Sequence, residues 1–229
     1  MVGKRSYQDP CGVARALDAV GERWALLVVR ELLLGPKRFA DLARALTGMS
    51  QNVLTQRLRE LEEAGVLTRR FLGPPTSSRV YELSPWGVEL EPVLLALGRW
   101  GSRAELDADR QLSTDALVLA LRTTFDPARS GGLTALIQLR LGNDSFVTEV
   151  GPGGLRISRG SAEEPVATVA ADSATLRAVM FAGRPLIDAE SAGELSLRGD
   201  RSVAVRFLAG FARPTGIEAP ARERSAGGG

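Results

Sequence analysis

The chain has 229 residues, 44% hydrophobic and 24% charged, with a formal net charge of +2, the composition of one large or two ordinary globular domains. It holds no histidine and one cysteine, Cys11, which removes the commonest general base and metal ligand and excludes an internal disulfide or a thiolate zinc cluster. No apolar run reaches the roughly 18 residues of a transmembrane helix, and MVGKRSYQDPCG at the start has no apolar signal core, so a cytoplasmic protein is expected.

No catalytic spacing is visible, and a non-enzyme without cofactor or metal is expected. Charge is slightly uneven: residues 1–105 carry 15 Lys and Arg against 12 Asp and Glu, and residues 106–229 carry 14 against 15. That difference alone does not mark a nucleic-acid binder.

In chain order, residues 14–20 predict a short helix with Val13, Leu17 and Val20 on one side. Residues 23–34 (RWALLVVRELLL) predict a central buried helix ended by Gly35-Pro36. Residues 39–46 place Phe39, Leu42, Ala43 and Leu46 toward a core. Gly48 suits the left-handed conformation that ends a helix, and Ser50 is a plausible N-cap for the next, over 50–64. There Leu54, Leu58 and Leu61 form an apolar stripe. Asn52, Thr55, Gln56 and Arg59 form a second face, whose amides, hydroxyl and guanidinium are the chemistry that reads base edges in a major groove.

Helix, glycine turn and a second helix with a polar outer face is the helix-turn-helix pattern. Residues 66–72 and 79–83 have strand composition, joined by Gly73-Pro74-Pro75-Thr76-Ser77-Ser78, and such a hairpin after a recognition helix is a wing. Gln51, Asn52, Thr55 and Gln56 are the candidate base contacts. Ser50, Arg57 and Arg59 are candidates for phosphate, with Arg57 alternatively paired to a neighbouring Glu. Lys37 and Arg38 either touch the backbone or are solvated, and wing Arg79 is expected to reach phosphate or the minor groove. The bland alternative for the whole face is a helix that merely meets water. Ser84-Pro85 begins a long helix to about residue 103, with Leu90, Leu94 and Leu97 as its stripe. Pro92 is expected to bend it.

Residues 105–112 read as a linker. Beyond it, 114–124 predict a helix, and 133–141, 144–150 and 153–158 three antiparallel strands, with Gly142-Asn143-Asp144 as a hairpin turn. Residues 166–171 predict a fourth strand, 172–182 a helix capped by Asp172, 185–189 a short helix or turn, 194–198 a fifth strand and 200–211 a final helix. The tail, 213–229, has a disordered composition. Phe125, Leu139, Phe146, Leu155, Val179, Phe181 and Phe207 either line a ligand tunnel or fill the core, and apolar periodicity cannot separate these.

Two resemblances sit on these residues. Cys11 with Ala14-Arg15-Ala16-Leu17, Gly21-Glu22-Arg23-Trp24, Arg30-Glu31-Leu32, Gly35-Pro36-Lys37-Arg38-Phe39, the run from Ser50 to Glu62, and Tyr81-Glu82-Leu83-Ser84-Pro85-Trp86-Gly87 resemble an HxlR-type winged helix-turn-helix regulator over about 9–102. That resemblance implies a dimeric bacterial transcription regulator, and a Cys11 that senses oxidants or electrophiles, through a disulfide across the dimer, or else an inert packing cysteine. Residues 167–172, Leu176, Gly183-Arg184-Pro185, 193–200 and Leu208 are similar to the sterol-carrier-protein family over about 113–211. That similarity implies an apolar tunnel between sheet and helices.

The expected architecture is multidomain: a mainly α winged helix-turn-helix domain over 1–104, the linker, and an α+β domain over 113–212 with a mostly antiparallel five-stranded sheet. The expected function is a homodimeric DNA-binding regulator of a pseudo-palindromic operator, with a C-terminal domain that senses a hydrophobic small molecule. Alternatives are a lipid carrier, or a regulator whose C-terminal domain is a ligand-free dimer support.

Overall fold

A computed structural model describes residues 6–73, 78–103 and 112–212. The linker at 105–111 and the tail at 213–229 lie outside the described residues. The N-terminal part runs α1 (Gly12–Val20), α2 (Ala25–Leu32), α3 (Phe39–Ala45), α4 (Gln51–Glu63), β1 (Leu67–Leu72), β2 (Ser78–Leu83), α5 (Pro85–Val88) and α6 (Glu91–Gly101). Its core gathers Val28, Val29 and Leu32 of α2, Leu42 of α3, Leu54, Leu58 and Leu61 of α4, and Leu94 of α6. The apolar stripes read from the sequence therefore meet one another, which is where most helical stability arises.

Between α3 and α4 the chain turns at Gly48, whose φ of +85° only glycine adopts without strain. The Ser50 hydroxyl then accepts from the Val53 N–H at 3.3 Å, capping α4. β1 and β2 pair antiparallel, with Arg69 opposite Tyr81 and Phe71 opposite Arg79. Lys37 adds a third, one-residue strand: its N–H donates to the Tyr81 carbonyl at 3.0 Å, and the Tyr81 N–H donates back at 2.8 Å.

The long bent helix expected after Ser84 is two helices instead. α5 ends at Glu89 and α6 starts from Leu90, so Pro92 stands in the first turn of α6, where its missing N–H costs no helical bond. Gly87 explains the tight docking of α5, because a Cβ there would lie 2.0 Å from the Val66 carbonyl oxygen.

The C-terminal part runs α7 (Thr114–Thr124), β3 (Ala135–Leu141), β4 (Asp144–Gly151), β5 (Gly154–Arg159), β6 (Ala167–Ala171), α8 (Ser173–Phe181), α9 (Leu186–Ser191), β7 (Leu195–Gly199) and α10 (Arg201–Ala209). The sheet order is β5-β4-β3-β6-β7. β3–β4, β4–β5 and β6–β7 are antiparallel, as expected, but β6 lies parallel to β3. A parallel neighbour needs a crossover, and here residues 160–166 carry the chain back over the sheet. Gln138 pins that crossing: its amide donates to the Phe146 carbonyl at 2.9 Å, and its Oε1 accepts from the Ala162 N–H at 2.7 Å.

One sheet face packs Ile137, Leu139, Phe146 and Val169 against α7, α8 and α10. The final helix stops at Ala209 rather than Phe211, because Phe211 bridges Phe125 and its ring packs edge-on to Phe125 and Phe207. α7 serves both cores: Leu117, Val118 and Leu121 face the second, while Leu119 packs against the first. α7 is thus a joint shared by both parts.

Candidate nucleic-acid interface

α4 presents two faces of opposite character. Leu54, Leu58 and Leu61 are at most 1% exposed. Ser50, Gln51, Asn52, Gln56 and Arg59 are exposed and Thr55 is half-buried. The side chains of Asn52 and Arg59 make no hydrogen bond or ion pair among the described residues, so their polar groups face solvent unspent. Thr55 Oγ1 donates to the Gln51 carbonyl at 2.8 Å, and Gln56 Nε2 donates to Glu60 Oε1 at 2.7 Å. The Gln56 amide is therefore partly engaged along its own helix, while its carbonyl stays open.

Of the two alternatives for Arg57, a phosphate contact or a neighbouring Glu, the structure has the second. Arg57 is 8% exposed and pairs with Glu60 on the same helix and with Glu22, at 3.7 Å, before α2. Arg57 ties α4 to the turn around Trp24, a residue that holds a left-handed φ of 79°. The sequence shows two arginines two positions apart, but only Arg59 faces outward.

The expectation for Lys37 is corrected. Its ammonium points inward, 2.8 Å from Glu31 Oε2 and 2.5 Å from Asp115 Oδ2, and its side chain is 14% exposed. It is therefore unavailable to a phosphate. Its neighbour Arg38 is exposed, at the N-cap position of α3. On the wing, Arg79 is exposed and makes no ion pair among the described residues. Arg69 and Arg70 are paired with Glu62 and Glu82. The loop tip at 74–77 lies outside the described residues. Ser50, Gln51, Asn52, Thr55, Gln56, Arg59, Arg38 and Arg79 remain from the sequence-based set as surface groups on the helix-turn-helix and wing.

Sequence reasoning missed the acids. Glu31 and Asp115 have fully buried side chains. Burial raises the Glu31 carboxyl, but Lys37 and Arg30, with hydrogen bonds from Lys37 and Ser113, outweigh it and hold Glu31 below the usual range. For Asp115 burial prevails over Lys37 and Arg159, and its carboxyl is pushed up. The one signal available was a lone glutamate inside the apolar run of α2, where an unpaired charge would be costly.

Cys11 is exposed at the start of α1. Several large apolar side chains are exposed as well: Val13 and Leu17 on α1, Trp86 and Val88 on α5, and Val93, Leu97 and Trp100 on α6, Trp100 at 70%. Of the seven tunnel candidates, Leu139, Phe146 and Phe207 are fully buried core residues, and Phe125, Leu155, Val179 and Phe181 pack partly buried against that core. None of the seven lines the cleft of about 1060 Å³ between the two parts of the chain, whose walls mix charged and polar side chains with apolar ones. Among the described residues no group of His, Cys, Asp and Glu could hold a metal ion, and no helix is long and apolar enough to cross a membrane.

The HxlR-like helix-turn-helix family matches residues 19–108, from the end of α1 through α6. The uncharacterised HTH-type transcriptional regulator sll1512 of Synechocystis sp. is 40% identical over 93 residues, which are 40% of this chain and 68% of that protein. The uncharacterised HTH-type transcriptional regulator YvaP of Bacillus subtilis is 38% identical over 89 residues, 38% of this chain and 82% of that protein. Among solved structures, the reduced form of the transcriptional regulator YodB from B. subtilis is 30% identical, with 41% of this chain and 92% of that chain covered and a TM-score of 0.37. Through its helix-turn-helix and wing, the chain belongs to the HxlR-like helix-turn-helix family.

Proposed function

We propose that this chain is a homodimeric regulator that reads an operator by laying α4 in the DNA major groove. Asn52, with Gln51, Thr55 and Gln56, reads base edges; Ser50, Arg59 and Arg38 hold phosphates; and Arg79 on the wing reaches the adjacent backbone or minor groove. The observation that carries the reading is the exposed, unspent polar face of α4 over a fully buried leucine stripe. Two copies meet through the exposed apolar side chains of α1, α5 and α6, since large apolar groups left in water mark contact surfaces between proteins. A twofold pair of such helices calls for half-sites about one helical turn apart. Selection from random duplex DNA with the purified chain tests this: a twofold-symmetric motif supports it, and enrichment of no motif refutes it.

A second reading gives the sterol-carrier-like C-terminal domain a hydrophobic effector. One observation favours it. Thr148 is fully buried on the core face of β4, and its hydroxyl has no hydrogen-bond partner among the described residues, which is unusual unless something polar reaches it. Native mass spectrometry of the purified chain reads the outcome. A retained lipid-like mass that Thr148→Val weakens supports the sensor. The absence of any bound mass, together with a Thr148→Val variant that melts higher, leaves the domain as dimer support.

A further inference from the structure

α7 lies across the joint between the two parts and is fastened at both ends. At its start, the Ser113 hydroxyl donates to Glu31 Oε1 at 2.6 Å, and Asp115 faces the Lys37 ammonium. Arg30 closes on the other side of Glu31, at 2.8 Å. Arg159 of β5 closes on Asp115 and reaches Asp144 at 2.5 Å. At its far end, Arg122 pairs with Glu91 of α6. Thr123 sits so close to Gly98 that a Cβ there would come within 3.0 Å of its methyl group.

Lys37 is the centre of the first fastening, and its backbone has a different allegiance. Both its N–H and its carbonyl pair with Tyr81 of the wing. The next residue, Arg38, gives its carbonyl to the Leu42 N–H at 3.1 Å, opening α3. One residue therefore joins the wing, the first helix of the helix-turn-helix and the start of α7. Beside it opens the interdomain cleft, with Asp41 and Arg44 of α3 on one wall and Asp144 and Asp172 on the other. Lys37, Asp115 and Arg159 of the ion cluster belong to its lining. Charges taken out of water in this way hold a defined geometry, because neither partner can leave the other unpaired.

We propose that Lys37 is a positioning residue through which the C-terminal domain sets the wing and α3 for DNA. The proposal rests on the DNA-reading function above, but the tie itself exists without DNA. It touches no base or phosphate and acts through Tyr81 and Arg38. Whatever shifts α7, including an effector in either the cleft or the second core, would be read at the wing by this route.

The test uses the full chain and the duplex that the wild-type chain selects. Asp115→Asn, on the far side of the joint from DNA, is expected to weaken binding about tenfold, the size of an ordinary coupling between sites. It also speeds hydrogen exchange at the Lys37 and Tyr81 amides while the Leu58 amide stays protected. Lys37→Arg keeps most of the affinity and Lys37→Met loses it. If Asp115→Asn does not fold, Ser113→Ala gives a smaller change in the same direction in both readouts. Affinity within about twofold of wild type, with unchanged exchange at Tyr81 in a folded variant, overturns the proposal. A wild-type chain that selects no duplex overturns the DNA reading alone, because the exchange measurement reads the tie independently.

Discussion

Arg57 and Arg59 provide a matched pair of perturbations on one helix. Arg59 is exposed and has no partner among the described residues, so its guanidinium is available to a phosphate, whereas Arg57 is 8% exposed and held by Glu60 and Glu22. Each phosphate neutralised contributes about 0.9 to the slope of log affinity against log salt. Removing one such contact by Arg59→Ala lowers that slope by about 0.9 per subunit. Between 50 and 200 mM salt, the variant then loses about 3.5-fold less affinity per subunit than wild type. Its stability stays within about 0.5 kcal/mol, as for an ordinary surface change.

Arg57→Ala behaves in the opposite way. It leaves Glu60 without its cationic partner, with only the Gln56 amide still bound, and strips the buried stem of Arg57 from the core flank, which costs about 1–3 kcal/mol. The salt slope does not move. Fluorescence anisotropy over a salt series, paired with urea melts, reads both quantities. A slope change for Arg57→Ala equal to that for Arg59→Ala would refute the assignment of Arg57 to the interior.

Further outcomes follow from the same geometry. Val93→Glu combined with Trp100→Glu places charge in the apolar surface of α6, and sedimentation should show a monomer that melts like wild type but no longer holds the operator; a dimer of unchanged mass contradicts this. Oxidation by diamide should link two copies through the exposed Cys11 and change operator affinity, and Cys11→Ser should abolish both effects; an unchanged diamide response in that variant places the sensor elsewhere. Glu31 is a carboxylate held below its usual range, so its stabilising contribution is complete above the ordinary glutamate pKa and is lost as pH falls through the lowered one. Glu31→Gln should therefore melt lowest relative to wild type near neutral pH, with the gap closing below about pH 4; a gap that widens on acidification contradicts the sign.

The helix-turn-helix was legible because its determinants are local. The leucine spacing of α4, Gly48 in the turn and the Ser50 cap all act within a few residues, and the structure repeats them nearly to the residue. Pro92 was not legible, since a proline in a first turn and one at a mid-helix kink look alike until the break at Glu89–Leu90 is seen. That break depends on Gly87 docking against Val66, a tertiary contact.

The arginines of α4 tell the same story at the level of the site. Local spacing already set Arg59, and not Arg57, on the polar face and offered Arg57 a neighbouring Glu, but the pairing with Glu22 comes from another element and was not legible. Lys37 was read as a candidate for DNA for the same reason: its partner Asp115 lies far along the chain, on a helix of the other part. In the C-terminal sheet, alternation located every strand but could not show that β6 would lie parallel beside β3. Apolar spacing likewise could not distinguish a tunnel from a core, and Leu139, Phe146 and Phe207 proved fully buried among other side chains.

The claim that α4 reads bases is tested most directly at Asn52, the exposed amide with no partner among the described residues. Affinities of wild type and Asn52→Ala are measured at one salt concentration, on the selected duplex and on duplexes changed at one base pair at a time. Discrimination at a single base pair in each half-site should fall by about 1–3 kcal/mol, with the other positions unaffected. A uniform loss across all duplexes, or no loss at any, would contradict base reading by this helix.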